Sequence, residues 1–269
     1  MNTVVLSVIF LGSVSLILGV CIVLTSKLFK TYENPLIQTV TKLLPGANCG
    51  GCGRAGCAAF AKELVETRST SMSCPVGGQA LREQLGSILG IKLQAVTASV
   101  ARVLCQGNFN KSRMSGEYEG IRDCVAVKQA MHGSKLCPYS CIGYGTCKNT
   151  CKYGAISISN GVAIVDENKC VGCGECIKNC PMGCLVLLPK DQKTFVACRS
   201  QDKGAITRKL CQTGCIGCGK CSKVCEQGAI TVTNFVSKID YSKCISCGKC
   251  VEACPTHCIV NTNLDNKNK

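Results

Sequence analysis

The sequence has no tryptophan, only six tyrosines and six phenylalanines, and two histidines. A chain of 269 residues with so little aromatic bulk cannot rest on one large hydrophobic core. Something else must hold small modules together, and metal–thiolate bonds can do so. With so few imidazoles, His132 and His257 read as structural, and zinc sites that recruit histidine are disfavoured. No P-loop and no Ser/His/Asp constellation stands out. Acidic residues are also scarce, 16 against 31 Lys and Arg, for a formal net charge of +15.

What the chain has instead is cysteine, 27 in all. The odd count, the C-x-x-C-x-x-C spacing and the lack of a removable signal peptide argue against a disulfide framework. Zinc usually draws on separated C-x-x-C pairs. Three cysteines at that spacing with a distant fourth before proline are specific for a [4Fe–4S] cluster. A 2+ core with four thiolates carries roughly −2, so five clusters would offset about −10 of the basic charge. The basic residues then read as compensation and as a docking surface for an acidic redox partner, not as a nucleic-acid footprint.

Residues 4–24 form an uncharged apolar run long enough to span a membrane. The positive charges Lys27 and Lys30 follow the run instead of preceding it, which places the C-terminal part in the cytoplasm. Cys21 inside the run reads as a small apolar residue. Residues 31–44 are expected to form a short helix with Pro35 in its first turn.

A four-cysteine set follows: Cys49-x2-Cys52-x4-Cys57-x16-Cys74, with glycines that let the backbone wrap a cluster. Helices are expected over 58–67, with Ala58, Ala61, Leu64 and Val65 inward, and over 78–90, with Leu81, Leu85, Ile88 and Leu89 inward. Residues 51–56 formally match G-x-G-x-x-G, but no strand precedes them and Cys52 lies inside, so a dinucleotide site is not expected. Residues 93–104 read as strand or linker.

Residues 124–258 hold two copies of one pattern. Adding 74 to Cys137, Cys141, Cys147, Cys151, Cys170, Cys173, Cys176, Cys180 and Cys184 lands on Cys211, Cys215, Cys221, Cys225, Cys244, Cys247, Cys250, Cys254 and Cys258. Cys124 maps onto Cys198 by the same shift, and the pair is expected to share a structural place. Only Tyr144, facing Cys218, breaks the register. In the second copy one cluster should take Cys215, Cys218, Cys221 and Cys254, and the other Cys225, Cys244, Cys247 and Cys250, with the crossed ligation of two-cluster ferredoxins. The first copy has one regular set, Cys151, Cys170, Cys173 and Cys176. For its irregular run we expect Cys137, Cys141, Cys147 and Cys180; Cys124 as the missing ligand, a three-iron cluster, or no cluster are the alternatives. Cys124 itself reads as a buried thiol. Cys184, Cys211 and Cys258 have no assigned ligand role, and residues 261–269 read as a polar, disordered tail. Short strands are expected at 155–158, 162–165, 229–233 and 236–239, with a hairpin turn at Asn160-Gly161.

The expected architecture is α+β: a transmembrane helix (1–27), a small helical single-cluster domain (28–90), a connecting region (91–131), two tandem two-cluster ferredoxin-like domains (132–189 and 190–262) and a tail (263–269). Five [4Fe–4S] clusters suit an electron wire better than any single catalytic centre.

Over nearly its whole length the chain resembles the B subunit of the Rnf complex, the membrane-bound ferredoxin:NAD oxidoreductase coupled to Na⁺ or H⁺ translocation. The resemblance rests on the N-terminal helix, LPGANCGGCGRAGC, CPYSCIGYGTCKNTC and the ferredoxin runs ending in CP and CPTHC. It implies electrons taken from reduced soluble ferredoxin and passed to other membrane subunits, among them a flavin subunit that reduces NAD. It also implies a single-pass protein of a bacterial cell membrane, a translocase subunit without substrate chemistry of its own. The alternatives are a membrane-anchored carrier for another reductase or for a redox-sensing regulator, and a basic Fe–S protein that binds nucleic acid; the membrane helix argues against the last.

Overall fold

A computed structural model of the protein describes residues 2–28, 34–94 and 97–265. Helix α1 (Asn2–Leu28) contains an apolar stretch, Val5–Lys27, of mean hydropathy 2.7, and none of it is covered by protein. A largely apolar helix with no protein cover fits a membrane anchor. Helix α2 (Pro35–Leu43) begins with the expected proline, and the Asn34 side chain accepts a hydrogen bond from the Leu36 amide. The first part of the helix expected over 31–44, residues 31–33, lies outside the described residues.

Helices α2, α3 (Cys57–Thr67) and α4 (Gly78–Leu89) enclose a small core of Val40, Phe60, Ala61, Leu64, Leu81, Leu85 and Leu89. Two of the expected inward positions differ. Ala58 is exposed and Phe60 points inward in its place, while Ile88 stays 39% exposed beside the buried Leu85 and Leu89.

The remainder runs β1 (Ser99–Val103), α5 (Cys124–Met131), α6 (Thr146–Thr150), β2 (Ile156–Ser159), β3 (Val162–Val165), α7 (Glu175–Lys178) and β4 (Leu185–Pro189). It continues with β5 (Thr194–Val196), α8 (Gly204–Leu210), α9 (Lys220–Lys223), β6 (Ile230–Thr233), β7 (Val236–Ile239), α10 (Lys249–Glu252), β8 (Ile259–Asn261) and α11 (Thr262–Asp265). The expected hairpins form. Asn160 and Gly161 turn β2 into β3 with φ of 45° and 75°, the left-handed pair that a tight hairpin needs. Asn234 and Phe235 do the same between β6 and β7.

Each copy also closes a second antiparallel pair, β1 with β4 and β5 with β8. Val103 faces Leu185, and Val196 faces Ile259. One residue on, the Leu104 amide donates to the Cys184 carbonyl and the Ala197 amide to the Cys258 carbonyl, both at 2.7 Å. The structural counterpart of Cys198 is therefore Cys105, not Cys124. The two lie 93 residues apart, not 74, so the first copy carries 19 additional residues between Cys105 and Cys137.

That additional chain threads between the copies. The Arg113 amide donates to the Leu210 carbonyl, and the Leu136 amide donates to the Arg113 carbonyl, each at 2.9 Å. The expected disordered tail is shorter than 261–269. Asn261 is buried in β8, where its side-chain amide donates to the Thr194 hydroxyl at 2.9 Å, and residues 266–269 lie outside the described residues.

Candidate cluster sites

Each cysteine run sits on a tight loop that ends at the start of a short helix. Glycines at φ of 80°, 72° and 86° (Gly174, Gly219 and Gly248) turn the chain into α7, α9 and α10, and the following cysteine is buried in the first turn. Among the described residues, no three Cys, His, Asp or Glu side chains crowd closely enough to share one metal ion. The cysteines instead surround volumes. That arrangement fits a four-iron cubane and not a single tetrahedral ion.

In the second copy, Cys215, Cys218, Cys221 and Cys254 line one cavity of about 260 Å³. Cys225, Cys244, Cys247 and Cys250 line another of about 620 Å³. The crossed arrangement expected from spacing is thus brought together. In the first copy, Cys176 is surrounded by Cys170, Cys173 and Cys151, and burial pushes its thiol up to about 12. The Ala101 amide of β1 donates to the Cys170 sulfur at 3.4 Å. In the N-terminal module Cys52, Cys57 and Cys74 pack on the helical core. Burial raises the Cys74 thiol, and Cys52 and Cys49 act on it in the same direction.

The irregular run departs from the expected set. A cavity of about 330 Å³ is lined by Cys141, Cys147 and Cys180 together with Cys124, and Cys137 is absent from it. The additional chain of the first copy explains this. Asp123 caps α5, its carboxylate accepting from the amides of Val125 and Ala126, and also accepts from the Thr146 hydroxyl at 2.7 Å. The same hydroxyl accepts from the Cys124 amide at 2.9 Å, which fixes Cys124 against the start of α6. Tyr144 packs with Tyr118 of the added segment, their ring centroids 6.2 Å apart. The segment that occupies the space around Tyr144 thus also places a fourth thiol, Cys124, at this cavity. Cys137 lies instead with Cys105, Cys198 and Cys211.

Buried thiols such as Cys147, Cys176 and Cys137 are pushed up to about 12 by desolvation, so they hold their protons at neutral pH until a metal displaces them. Two cysteines without a ligand role have the opposite effect on neighbours. The Cys258 thiol brings Cys254 down to about 4 and Cys215 to about 5, and Cys184 brings Cys180 to about 6.

Comparison with known proteins finds Fe–S profiles over three segments of the chain. Residues 44–76 match the profile of a putative Fe–S cluster domain, 162–185 a 4Fe-4S binding domain, and 214–258 a 4Fe-4S dicluster domain. The B subunit of the Na(+)-translocating ferredoxin:NAD(+) oxidoreductase complex of Acetobacterium woodii is 43% identical over 90% of this chain and 73% of its own length. The B subunit of the ion-translocating oxidoreductase complex of Methanosarcina acetivorans is 42% identical over 88% and 90%, respectively. The B subunit of the proton-translocating ferredoxin:NAD(+) oxidoreductase complex of Clostridium ljungdahlii is 40% identical over 90% and 86%. The chain belongs to the family of B subunits of ion-translocating oxidoreductase complexes. In this family member the three profile matches leave residues 77–161 uncovered. That interval contains β1, Cys105, Cys124 and Cys137, the elements whose placement sequence reasoning missed or misassigned.

Proposed function

We propose that this chain is the membrane-anchored electron-transfer arm of an ion-translocating ferredoxin:NAD oxidoreductase. Its N-terminal helix crosses the cell membrane once, and the cluster-bearing modules stand in the cytoplasm. Reduced soluble ferredoxin is the donor. The acceptors are other membrane subunits of the complex, with NAD reduced on a flavin subunit elsewhere.

Five [4Fe–4S] clusters are held by Cys49, Cys52, Cys57 and Cys74; by Cys151, Cys170, Cys173 and Cys176; by Cys124, Cys141, Cys147 and Cys180; by Cys215, Cys218, Cys221 and Cys254; and by Cys225, Cys244, Cys247 and Cys250. When bound, such clusters accept and release single electrons with little geometric change. The chain's own task is to space them, shield them from water and place N–H groups near their sulfurs.

The observation that carries this reading is the contact between the first two sites. A Cβ at Gly51 would stand 2.9 Å from the Cys173 carbonyl oxygen, so the two ligand loops touch through a position with no side chain. Lys178 clamps the junction, its ammonium donating to the Cys49 carbonyl at 2.7 Å, and Lys152 donates to the Ala47 carbonyl at 3.2 Å. Modules packed ligand loop to ligand loop are arranged for conduction. The test is anaerobic mixing with reduced ferredoxin, followed by low-temperature spectroscopy with and without the other membrane subunits. Ferredoxin should reduce the clusters of the isolated chain, and those subunits should reoxidise them; clusters that ferredoxin leaves oxidised would overturn the reading.

A further inference from the structure

Five four-cysteine sets use twenty of the 27 cysteines. The seven others are Cys21 in α1, Cys184 and Cys258, which bond to Cys180 and Cys254 respectively, and Cys105, Cys137, Cys198 and Cys211. The last four line a single small cavity between the two copies, of the same kind as the cavities of the Cys124 set and the Cys215 set.

The cage has internal symmetry. Cys105 and Cys198 follow equivalent strands, and Cys137 and Cys211 are equivalent by the 74-residue shift. Each copy thus contributes the same two positions. Their hydrogen bonds repeat as well: the Cys141 amide donates to the Cys105 sulfur at 3.4 Å, and the Cys215 amide to the Cys198 sulfur at 3.2 Å. The Ser140 and Gly214 amides close matching turns onto the carbonyls of Cys137 and Cys211. Gly107 from the added chain forms part of the wall. A Cβ there would lie 3.2 Å from the Cys211 sulfur and 3.7 Å from the Cys105 sulfur, so both face one small space.

Simple packing does not account for this arrangement. Thiols serving only as small hydrophobes would need no repeated pattern of donors aimed at their sulfurs. Here they stand around a cavity, with N–H donors aimed at two of their sulfurs. A buried lysine holds the loop of the neighbouring Cys141. Lys135 is 4% exposed, and its ammonium donates to the carbonyls of Cys141 and Gly161 at 2.7 and 2.6 Å.

We propose that Cys105, Cys137, Cys198 and Cys211 ligate a sixth [4Fe–4S] cluster at the seam between the two copies. This rests on the electron-transfer reading above and completes it. Cys141 belongs to one neighbouring set and Cys215 to the other, and each donates its amide to a ligand of the seam cluster. One electron enters from one neighbouring set, converting the 2+ core to 1+, and the same electron leaves toward the other. No bond forms or breaks and no proton is required.

The test is iron and sulfide content of the full chain, purified anaerobically in detergent, with zinc measured alongside. Six cubanes give about 24 of each per chain. Cys137→Ser/Cys211→Ser and, independently, Cys105→Ser/Cys198→Ser should each lower both values by about four and leave the reduced-state signals of the other clusters in place. About 20 irons in the wild type, with or without one zinc, would overturn the sixth cluster while leaving the five-cluster reading standing. A wild-type value near 12 would overturn both. If either variant fails to accumulate, the wild-type content alone decides.

Discussion

The sulfur of Cys258 lies 3.5 Å from the sulfur of Cys254. Cys254 belongs to a ligand set, whereas Cys258, only 2% exposed, belongs to none. Cys258 also bonds to Cys215, so one thiol serves two sulfurs of the same site. The first copy repeats the device with Cys184, whose amide donates to the Cys180 sulfur at 3.4 Å.

Donors to ligand sulfurs stabilise the reduced, more negative cluster and raise its potential. Cys258→Ala should therefore keep all the iron and lower the potential of the Cys215-set cluster. The size should be roughly 40 mV, one hydrogen bond of about 1 kcal/mol on a one-electron couple. A redox titration followed by electron paramagnetic resonance checks it. Loss of four irons would instead make Cys258 a ligand.

Cys124→Ala should remove one cluster, because Cys124 completes the Cys141, Cys147 and Cys180 cavity. Tyr144 sits between Gly143 and Gly145 at φ of 86° and 89°, much as Cys218 sits between Gly217 and Gly219 at 65° and 72°. Cys124→Ala/Tyr144→Cys should therefore regain the lost iron. A double variant with no recovery would show that the backbone likeness is insufficient.

At Gly51 the prediction concerns rate and not content. Gly51→Ala would drive a methyl group against the Cys173 carbonyl, 2.9 Å away, and force the two ligand loops apart. Iron content should be unchanged, while electron exchange between the Cys49-set cluster and its neighbour slows several-fold. Flash reduction with spectral resolution of that cluster measures it, and an unchanged rate would remove Gly51 from the path.

Glu167 joins the copies. It pairs with Arg102 of β1 and, at 2.9 Å, with Lys193 just before β5; Arg102 in turn lies 5.3 Å from the centre of the Phe195 ring. Burial alone would raise its pKa, but the hydrogen bonds from Arg102 and Lys193 win and bring it down to about 2. A depressed carboxylate stabilises the fold fully above about pH 4.5, and the contribution disappears as pH falls toward 2. Glu167→Gln should cost about 2 kcal/mol at pH 7, the scale of a hydrogen bond to a charged group. The gap in melting temperature should hold from pH 7 to 5 and narrow below that. A gap that widens on acidification would contradict the sign.

Much of the ligand chemistry was legible because cluster ligation is local. Runs such as Cys244, Cys247 and Cys250 declare themselves by spacing, and the Asn160-Gly161 hairpin by turn chemistry. What was not legible depended on pairing between distant strands. The 74-residue register carried Cys124 onto Cys198 by coincidence. Only the match of Val103 with Leu185 and of Val196 with Ile259 reveals Cys105 as the true counterpart. Assigning Cys137 to the irregular run followed from proximity in sequence, but its equivalence to the equally unassigned Cys211 was visible in the same register. Two unassigned thiols at matched positions were the signal.

Helix α1 ends at Leu28 and α2 begins at Pro35. Seven peptide links at full stretch reach at most about 25 Å. The arm is therefore on a short leash. On the proposed function, α2 starts within that distance of the end of α1, and the first cysteine loops stay close to the membrane surface in which a redox partner would lie. Encounter at that end is then confined to a layer beside the membrane and not spread through bulk solution.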